Sequence, residues 1–237
     1  MNLHAVLFDL DGTLLDYDIR ETFIPAYFRL LTARLAPYVP PTRLMSAMQE
    51  GMAAIGANDG RRTNEEAFTA AFYPLVERPR EELEPVFRAF YTQDFPELQR
   101  HVERRPGARQ VIQTAFDLGY DVVIATNPFF PEIATRQRLE WAGVADFPFR
   151  KVTTYENSHA AKPNALYFQE ILEELEREPE EALMVGDEPM DMAAAHVGCP
   201  TFLVEGPANQ QDEEIEPSPT YQGNLFDLEE LLKKSKR

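Results

Sequence analysis

Short apolar runs alternate along the chain with stretches in which apolar positions recur every three or four residues, and one long block breaks that alternation. Residues 5–8, Ala-Val-Leu-Phe, are a run of the kind buried as a strand on both faces of a parallel sheet. The run stops at Asp9, with Asp11 and then Gly12, a residue suited to a sharp turn, just beyond. From about residue 19 to 104 only the helical rhythm appears. Ile19, Phe23, Ala26, Tyr27, Leu30 and Leu31 share one helix face, and Pro40-Pro41 opens a second helix reaching about residue 55. Residues 56–60 read as a loop. Thr63 and Glu66 have capping-box spacing for a third helix, and a fourth spans about 79–90.

Beyond Pro106-Gly107 the alternation resumes. Strands are predicted at 121–125, 149–153, 182–185 and 201–204, with helices at 107–118, 131–143, 163–177, 189–197 and 226–234. Residues 205–220, acidic and rich in Pro and Gln, read as a loop. Strands alternating with helices of this length predict an α/β fold, a Rossmann-like parallel sheet flanked by helices, with an all-helical cap inserted after the first strand. The division expected is a core of residues 1–16 and 105–237 and a cap of residues 17–104. In open parallel sheets ligands sit outside the carboxyl ends of the strands. Asp9, Asp11, Thr126, Asn127 and Asp187 all fall at such ends.

Composition narrows the function. A formal charge of −17 argues against binding nucleic acid or an anionic membrane through the overall field. Neither a membrane-spanning run nor a signal-type N-terminus is apparent, so the cytoplasm is the expected location. Cys199 is the single cysteine, which excludes an intrachain disulfide and a cysteine zinc cluster.

At one sheet edge, Asp9, Asp11, Asp187 and Asp191 would face a single cation, Lys162. Carboxylates so close do not all stay ionised without a metal ion. Oxygen ligands without cysteine or clustered histidine suit Mg²⁺, which keeps waters and a substrate phosphate oxygen in its shell. An EF-hand calcium loop is excluded because Leu14 stands where that loop needs glycine. Lys162, before Pro163 at an expected helix start, and the Thr126 hydroxyl complete a receptor for phosphate. Phosphoryl transfer needs mainly positioning and charge neutralisation. Asp9, ending the buried strand, is the expected nucleophile, and Asp11, in the turn, the acid/base.

Phe8-Asp-Leu-Asp-Gly-Thr-Leu-Leu-Asp16 resembles motif I of the haloacid dehalogenase-like (HAD) hydrolases. Ala125-Thr-Asn127, Ala161-Lys-Pro163 and Gly186-Asp-Glu-Pro-Met-Asp191 resemble motifs II, III and IV, in family order. The helical block after motif I is similar to the cap of the phosphoglycolate-phosphatase-like subgroup. The resemblance implies a Mg²⁺-dependent phosphatase of a small phosphorylated metabolite that forms an aspartyl-phosphate. It implies Asp9 as nucleophile and metal ligand, Asp11 as acid/base and carbonyl ligand, and Asp187 as a third metal ligand supported by Asp191. Thr126, Asn127 and Lys162 are then the phosphate-binding residues. Glu188 and Pro128 depart from the usual pattern, the first making the mouth more acidic and the second removing one backbone donor.

Other roles stay open on the sequence. Asp187 could cap the following helix, and Asp191 could be a first-turn charge favoured by the dipole. Arg61 and Arg62 are the candidates for touching the far end of an anionic substrate, with a solvated basic pair as the plainer reading. His159, Glu156 and Trp141 read as loop and packing residues. A sugar phosphomutase, a dehalogenase and a non-catalytic protein that keeps the fold are the alternatives; the presence of Asp11 speaks against the dehalogenase.

Overall fold

A computed structural model describes residues 2–206 and 215–236. Among these residues six strands, β1 (Ala5–Phe8), β4 (Asp121–Ile124), β5 (Lys151–Val152), β6 (Ala182–Gly186), β7 (Thr201–Val204) and β8 (Tyr221–Gly223), form one sheet in the order β5-β4-β1-β6-β7-β8. Every pairing in it is parallel. The remaining two, β2 (Leu15–Asp16) and β3 (Glu103–Arg104), make a short antiparallel ribbon where the chain leaves the sheet layer and returns.

Side-chain alternation along β1 explains its central place. Val6 and Phe8 join a fully buried cluster with Val122, Ile124, Leu183 and Val185, packed under α5 (Ala108–Asp117) and α9 (Leu225–Ser235). Ala5 and Leu7 face the other way, into a cluster with Val123, Met184 and Phe168 of α7 (Ala165–Leu175). A strand covered on both faces reads as a continuous apolar run, as β1 does. Phe8 lies level with Ile124 on one side and Val185 on the other. The carboxyl ends of β1, β4 and β6 therefore stand side by side.

Between the ribbon strands the chain is helical: α1 (Ile24–Leu35), α2 (Pro41–Gly56), α3 (Asn64–Val76) and α4 (Arg80–Ala89), followed by wide and 3-10 turns through His101. The Thr63–Glu66 capping box is formed at the start of α3. These helices share an apolar cluster that includes Phe23, Leu31, Leu44, Phe72 and Phe90 and extends to Ala134 on α6 (Glu132–Ala142). No helix among the described residues is long and apolar enough to cross a membrane.

Several local expectations need correction. The strand expected at 149–153 is confined to Lys151–Val152, because Phe149 turns instead onto Phe116 and Phe147. Pro163 does not open a helix: α7 starts at Ala165, with Asn164 as its cap accepting the Leu166 amide at 3.0 Å. The helix after Asp187 is one α-turn, α8 (Pro189–Met192), continued as a 3-10 turn over Ala193–Val197. Strand β8 was not expected, its alternation being too short to stand out. Residues 207–214 of the expected acidic loop lie outside the described residues.

Candidate functional site

Asp9 extends β1 by one residue, its amide donating to the Val185 carbonyl at 2.8 Å, and the residue is only 6% exposed. Thr126 lies two residues beyond β4 and Asp187 directly follows β6, both buried. The Thr126 carbonyl accepts from the Thr153 hydroxyl at 2.6 Å and the Tyr167 hydroxyl at 3.0 Å, which fixes the strand end. Gly12 makes the close approach of the first turn to the β6 end feasible. Its φ is +86°, and a Cβ there would lie 2.2 Å from Asp187 Oδ2. Gly186 is required for a second reason: a Cβ on it would lie 2.2 Å from Asp191 Cγ.

Carboxylate oxygens of Asp9, Asp187 and Asp191 lie within 4.8 Å of one another, all buried. Lys162 reaches into them, its Nζ donating to Asp9 Oδ1 at 2.7 Å and Asp191 Oδ1 at 2.5 Å. The Lys162 backbone amide donates to Asn127 Oδ1 at 3.2 Å, so motif II and motif III residues are joined directly. Lys162 thus serves through its ammonium, three positions before α7, and not from a helix start.

Asp191 Oδ2 also accepts the Glu188 amide at 3.0 Å, forming a capping box with Glu188 at the start of α8. Glu188, not Asp187, is the cap of that helix. Asp187 instead accepts from the buried Thr13 hydroxyl at 3.1 Å.

The electrostatics show that the cluster lacks positive charge. Burial pushes the Asp9 carboxyl well above the ordinary carboxylate range; Lys162 opposes the shift and Asp191, Asp187 and Asp11 add to it. Burial and the neighbouring Asp191 and Glu188 push Asp187 up to about 7. Burial works against the Lys162 charge, but Asp191 and Asp9 more than offset this and hold it above an ordinary lysine. Three buried carboxylates around one ammonium fit a divalent cation, whose charge would relieve the repulsion.

Asp11 does not join the triad through its side chain. Its Oδ1 accepts from the Tyr17 hydroxyl at 2.7 Å, and its Oδ2 is ion-paired with Arg138. The Arg138 side chain is 1% exposed, lies over the Phe130 ring with its guanidinium carbon 4.5 Å from the centroid, and donates to Thr135 Oγ1 at 3.1 Å. Arg138 escaped the sequence reading. Its signal is positional: it lies on the α6 stripe of buried Ala134, Thr135, Leu139 and Ala142, where an unpaired charge would not be tolerated.

A cavity of about 830 Å³ opens over the site, between the sheet ends and α1–α4, with Asp9, Asp11, Thr126, Asn127, Lys162 and Asp191 among its walls. Arg61 and Arg62 are not part of it. Arg61 is 86% exposed and paired with Asp59 at 3.2 Å, while Arg62 borders a separate shallow groove. The arginines that line the cavity are Arg20, Arg80 and Arg88. Trp141 stacks on Phe95 at 5.4 Å, a packing role, and His159 pairs with Glu170 at 3.1 Å. Glu156, half-buried, accepts the Glu132 amide with both oxygens and also borders the cavity.

Fold and site together define a doubly wound α/β protein with a metal-competent acidic cluster and one buried lysine at the carboxyl ends of its central strands. Residues 3–198 match the haloacid dehalogenase-like hydrolase family, and the chain belongs to that family of hydrolases. It is 29% identical over 208 residues to a phosphoglycolate phosphatase of Chromobacterium violaceum, covering 86% of this chain and 85% of that protein. A pyrophosphatase PpaX of Bacillus cereus is also 29% identical over 208 residues, with 86% and 84% covered. Among solved structures, a HAD phosphatase of Thermococcus onnurineus superposes with a TM-score of 0.58 at 23% identity over 97% of this chain and 98% of that one. A predicted phosphoglycolate phosphatase of Haemophilus somnus gives 0.60 at 16% identity, with 98% of both chains covered.

Proposed function

We propose that the protein is a Mg²⁺-dependent phosphomonoesterase working through an aspartyl-phosphate on Asp9. The observation that carries this reading is Lys162 Nζ seated between Asp9 and Asp191, beside Asp187, at the end of the central strand. Both Asp191 oxygens are engaged, by Lys162 and the Glu188 amide, so Asp9 and Asp187 are the side chains to hold the ion, with Asp191 bracing them. The family resemblance adds the Asp11 backbone carbonyl. When bound, Mg²⁺ would neutralise the carboxylates and the phosphate charge.

An Asp9 oxygen attacks phosphorus and the bond to the leaving alcohol oxygen breaks, with Asp11, protonated once its side chain has left Arg138, supplying the proton to that oxygen. Water then attacks the phosphorus of the aspartyl-phosphate and gives a proton to Asp11. The Asp9–phosphorus bond breaks and orthophosphate leaves. Lys162, with the Thr126 hydroxyl and Asn127, balances the charge of the transferred group. Tyr17 and Arg138 hold the Asp11 carboxylate to one side, so reaching the leaving oxygen requires its side chain to swing from Arg138. The helical segment acts as a cap over the cavity, excluding bulk water.

The test is phosphate release from a panel of phosphomonoesters, with Mg²⁺ and with chelator. Turnover should require the ion. Asp9→Asn should reduce it at least about 1,000-fold with an unchanged circular dichroism spectrum. Substantial turnover by Asp9→Asn would refute Asp9 as nucleophile, and isomerised sugar phosphate without free phosphate would show a mutase.

A further inference from the structure

Two features set the cavity, which takes in the phosphate site as well as the space above it, apart from a pocket for a small polar acid. Its size is one: about 830 Å³ lies within the range that accommodates ligands of drug size. Its lining is the other. Phe28, Met52, Phe68 and Phe87 face it from the helical segment, and Phe129 and Tyr155 from the sheet layer. All six are half-buried, neither packed away in the core nor exposed on the outer surface.

The charged groups of the same wall are largely occupied with one another. Arg80 pairs with Glu65 at 2.6 Å and Glu84 at 3.4 Å, and Arg20 pairs with Glu188 at 3.4 Å. The Tyr27 and Tyr91 hydroxyls bond to each other at 2.9 Å. Among the described residues, four glutamates, Glu65, Glu84, Glu156 and Glu188, line the space against three arginines. A second carboxylate or phosphate on the substrate would enter an acidic surround whose cations are mostly paired, at a desolvation cost with little return. A polyol would leave hydroxyls against aromatic faces. An apolar body, by contrast, releases water from those faces without losing hydrogen bonds.

We propose that the substrate is a phosphomonoester whose alcohol carries a large apolar chain or ring, seated in this aromatic cavity with only its phosphate reaching Asp9 and Lys162. This rests on the phosphatase reading and narrows its substrate class. The phosphate end is fixed by the site, and the apolar body supplies binding energy that grows with the area it covers.

The test uses ethyl, butyl and octyl phosphate, whose leaving groups are similar in chemistry, with phosphoglycolate and pyrophosphate alongside. With Mg²⁺ present, kcat/KM should rise about two- to fourfold per methylene, so that octyl exceeds ethyl phosphate by at least about 50-fold. Octyl phosphate should also exceed phosphoglycolate and pyrophosphate. In Met52→Glu, which adds a carboxylate to the wall, the octyl-to-ethyl ratio should fall at least about tenfold; if that variant does not fold, the wild-type series decides alone. A flat series, or preference for phosphoglycolate or pyrophosphate, overturns the apolar substrate and leaves the phosphatase standing. No Asp9-dependent phosphate release from any of the five overturns the phosphatase reading, and the substrate class with it.

Discussion

Replacing Asp187 by Asn tests whether the acidic cluster is strained by its own charge. Asp187 is raised from an ordinary 3.8 to about 7, first by burial and then by Asp191 and Glu188. A carboxyl whose folded pKa is raised holds its proton more tightly in the native state. Stability is therefore undiminished below about pH 4, falls as pH rises through the interval, and carries the full penalty above about 7. At about 1.4 kcal/mol for each pH unit of that interval, the penalty approaches about 4 kcal/mol at pH 8 in metal-free protein. The introduced side-chain amide would still accept from Thr13, though without the carboxylate's charge, a loss of about 1 kcal/mol. In chelator, Asp187→Asn should thus be about 3 kcal/mol more stable than wild type at pH 8 and nearly equal at pH 5. For a chain of this size that is a rise of roughly 6–12 °C in the midpoint of thermal unfolding. Mg²⁺ should raise the wild-type midpoint and leave the variant's almost unmoved. A variant less stable than wild type at pH 8 in chelator, or an advantage that grows toward acid pH, would refute the reasoning.

Three further substitutions address the supporting parts. Gly12→Ala places a Cβ at φ +86° and 2.2 Å from Asp187 Oδ2, so it should cost about 2–3 kcal/mol by denaturant unfolding and lower turnover as Asp187 shifts. Arg138→Met removes the buried partner of Asp11 and should destabilise by about 3 kcal/mol in the same assay; an unchanged midpoint would mean the ion pair holds nothing in place. Arg61→Ala and Arg62→Ala should leave kcat/KM within about twofold for any phosphoester the enzyme accepts, because neither residue borders the cavity. A tenfold loss in either would return the pair to the site.

The placement of the acidic cluster was legible because it is built from strand ends. An apolar run stopped by Asp, as at Phe8-Asp9 and Gly186-Asp187, states both the strand and the group it presents, and parallel order brings such ends together. The single cation among those acids could be read as their partner, and Lys162 lies at 2.7 Å from Asp9. What the pattern could not show is which of two nearby acids faces the cluster. Asp11 and Asp191 both looked like companions of Asp9, but the turn at Gly12 carries the Asp11 side chain to Tyr17 and Arg138, leaving Asp191 to close the triad. That outcome depends on a guanidinium 127 residues away on α6, a distance that no local spacing encodes. Strand β8 was missed for a related reason: three residues pairing only with the edge of β7 have no periodicity of their own.

Substrate recognition was the least legible part, and the cause is the helical pattern itself. Periodicity separates an apolar face from a polar one; it does not separate an apolar side chain packed against another helix from one turned toward an open cavity. Phe68 and Phe72 lie one turn apart on α3 and stack at 5.1 Å, yet Phe72 is fully buried in the helical cluster and Phe68 borders the cavity. Phe87 meets Phe72 at 5.6 Å and also borders it. Along the chain nothing distinguishes the three. Among the charged residues, Arg61 and Arg62 stood out because they were adjacent in a loop, and their exposed placement fits the plainer reading of a solvated basic pair. Arg20, Arg80 and Arg88, each on or beside a helix face with acidic neighbours, gave no such signal and are the ones that line the space. A binding surface made of residues that also satisfy a packing rule is therefore invisible to the rule. It emerges only when the helices α1–α4 are set over the strand ends and part of their apolar stripe is left without a protein neighbour.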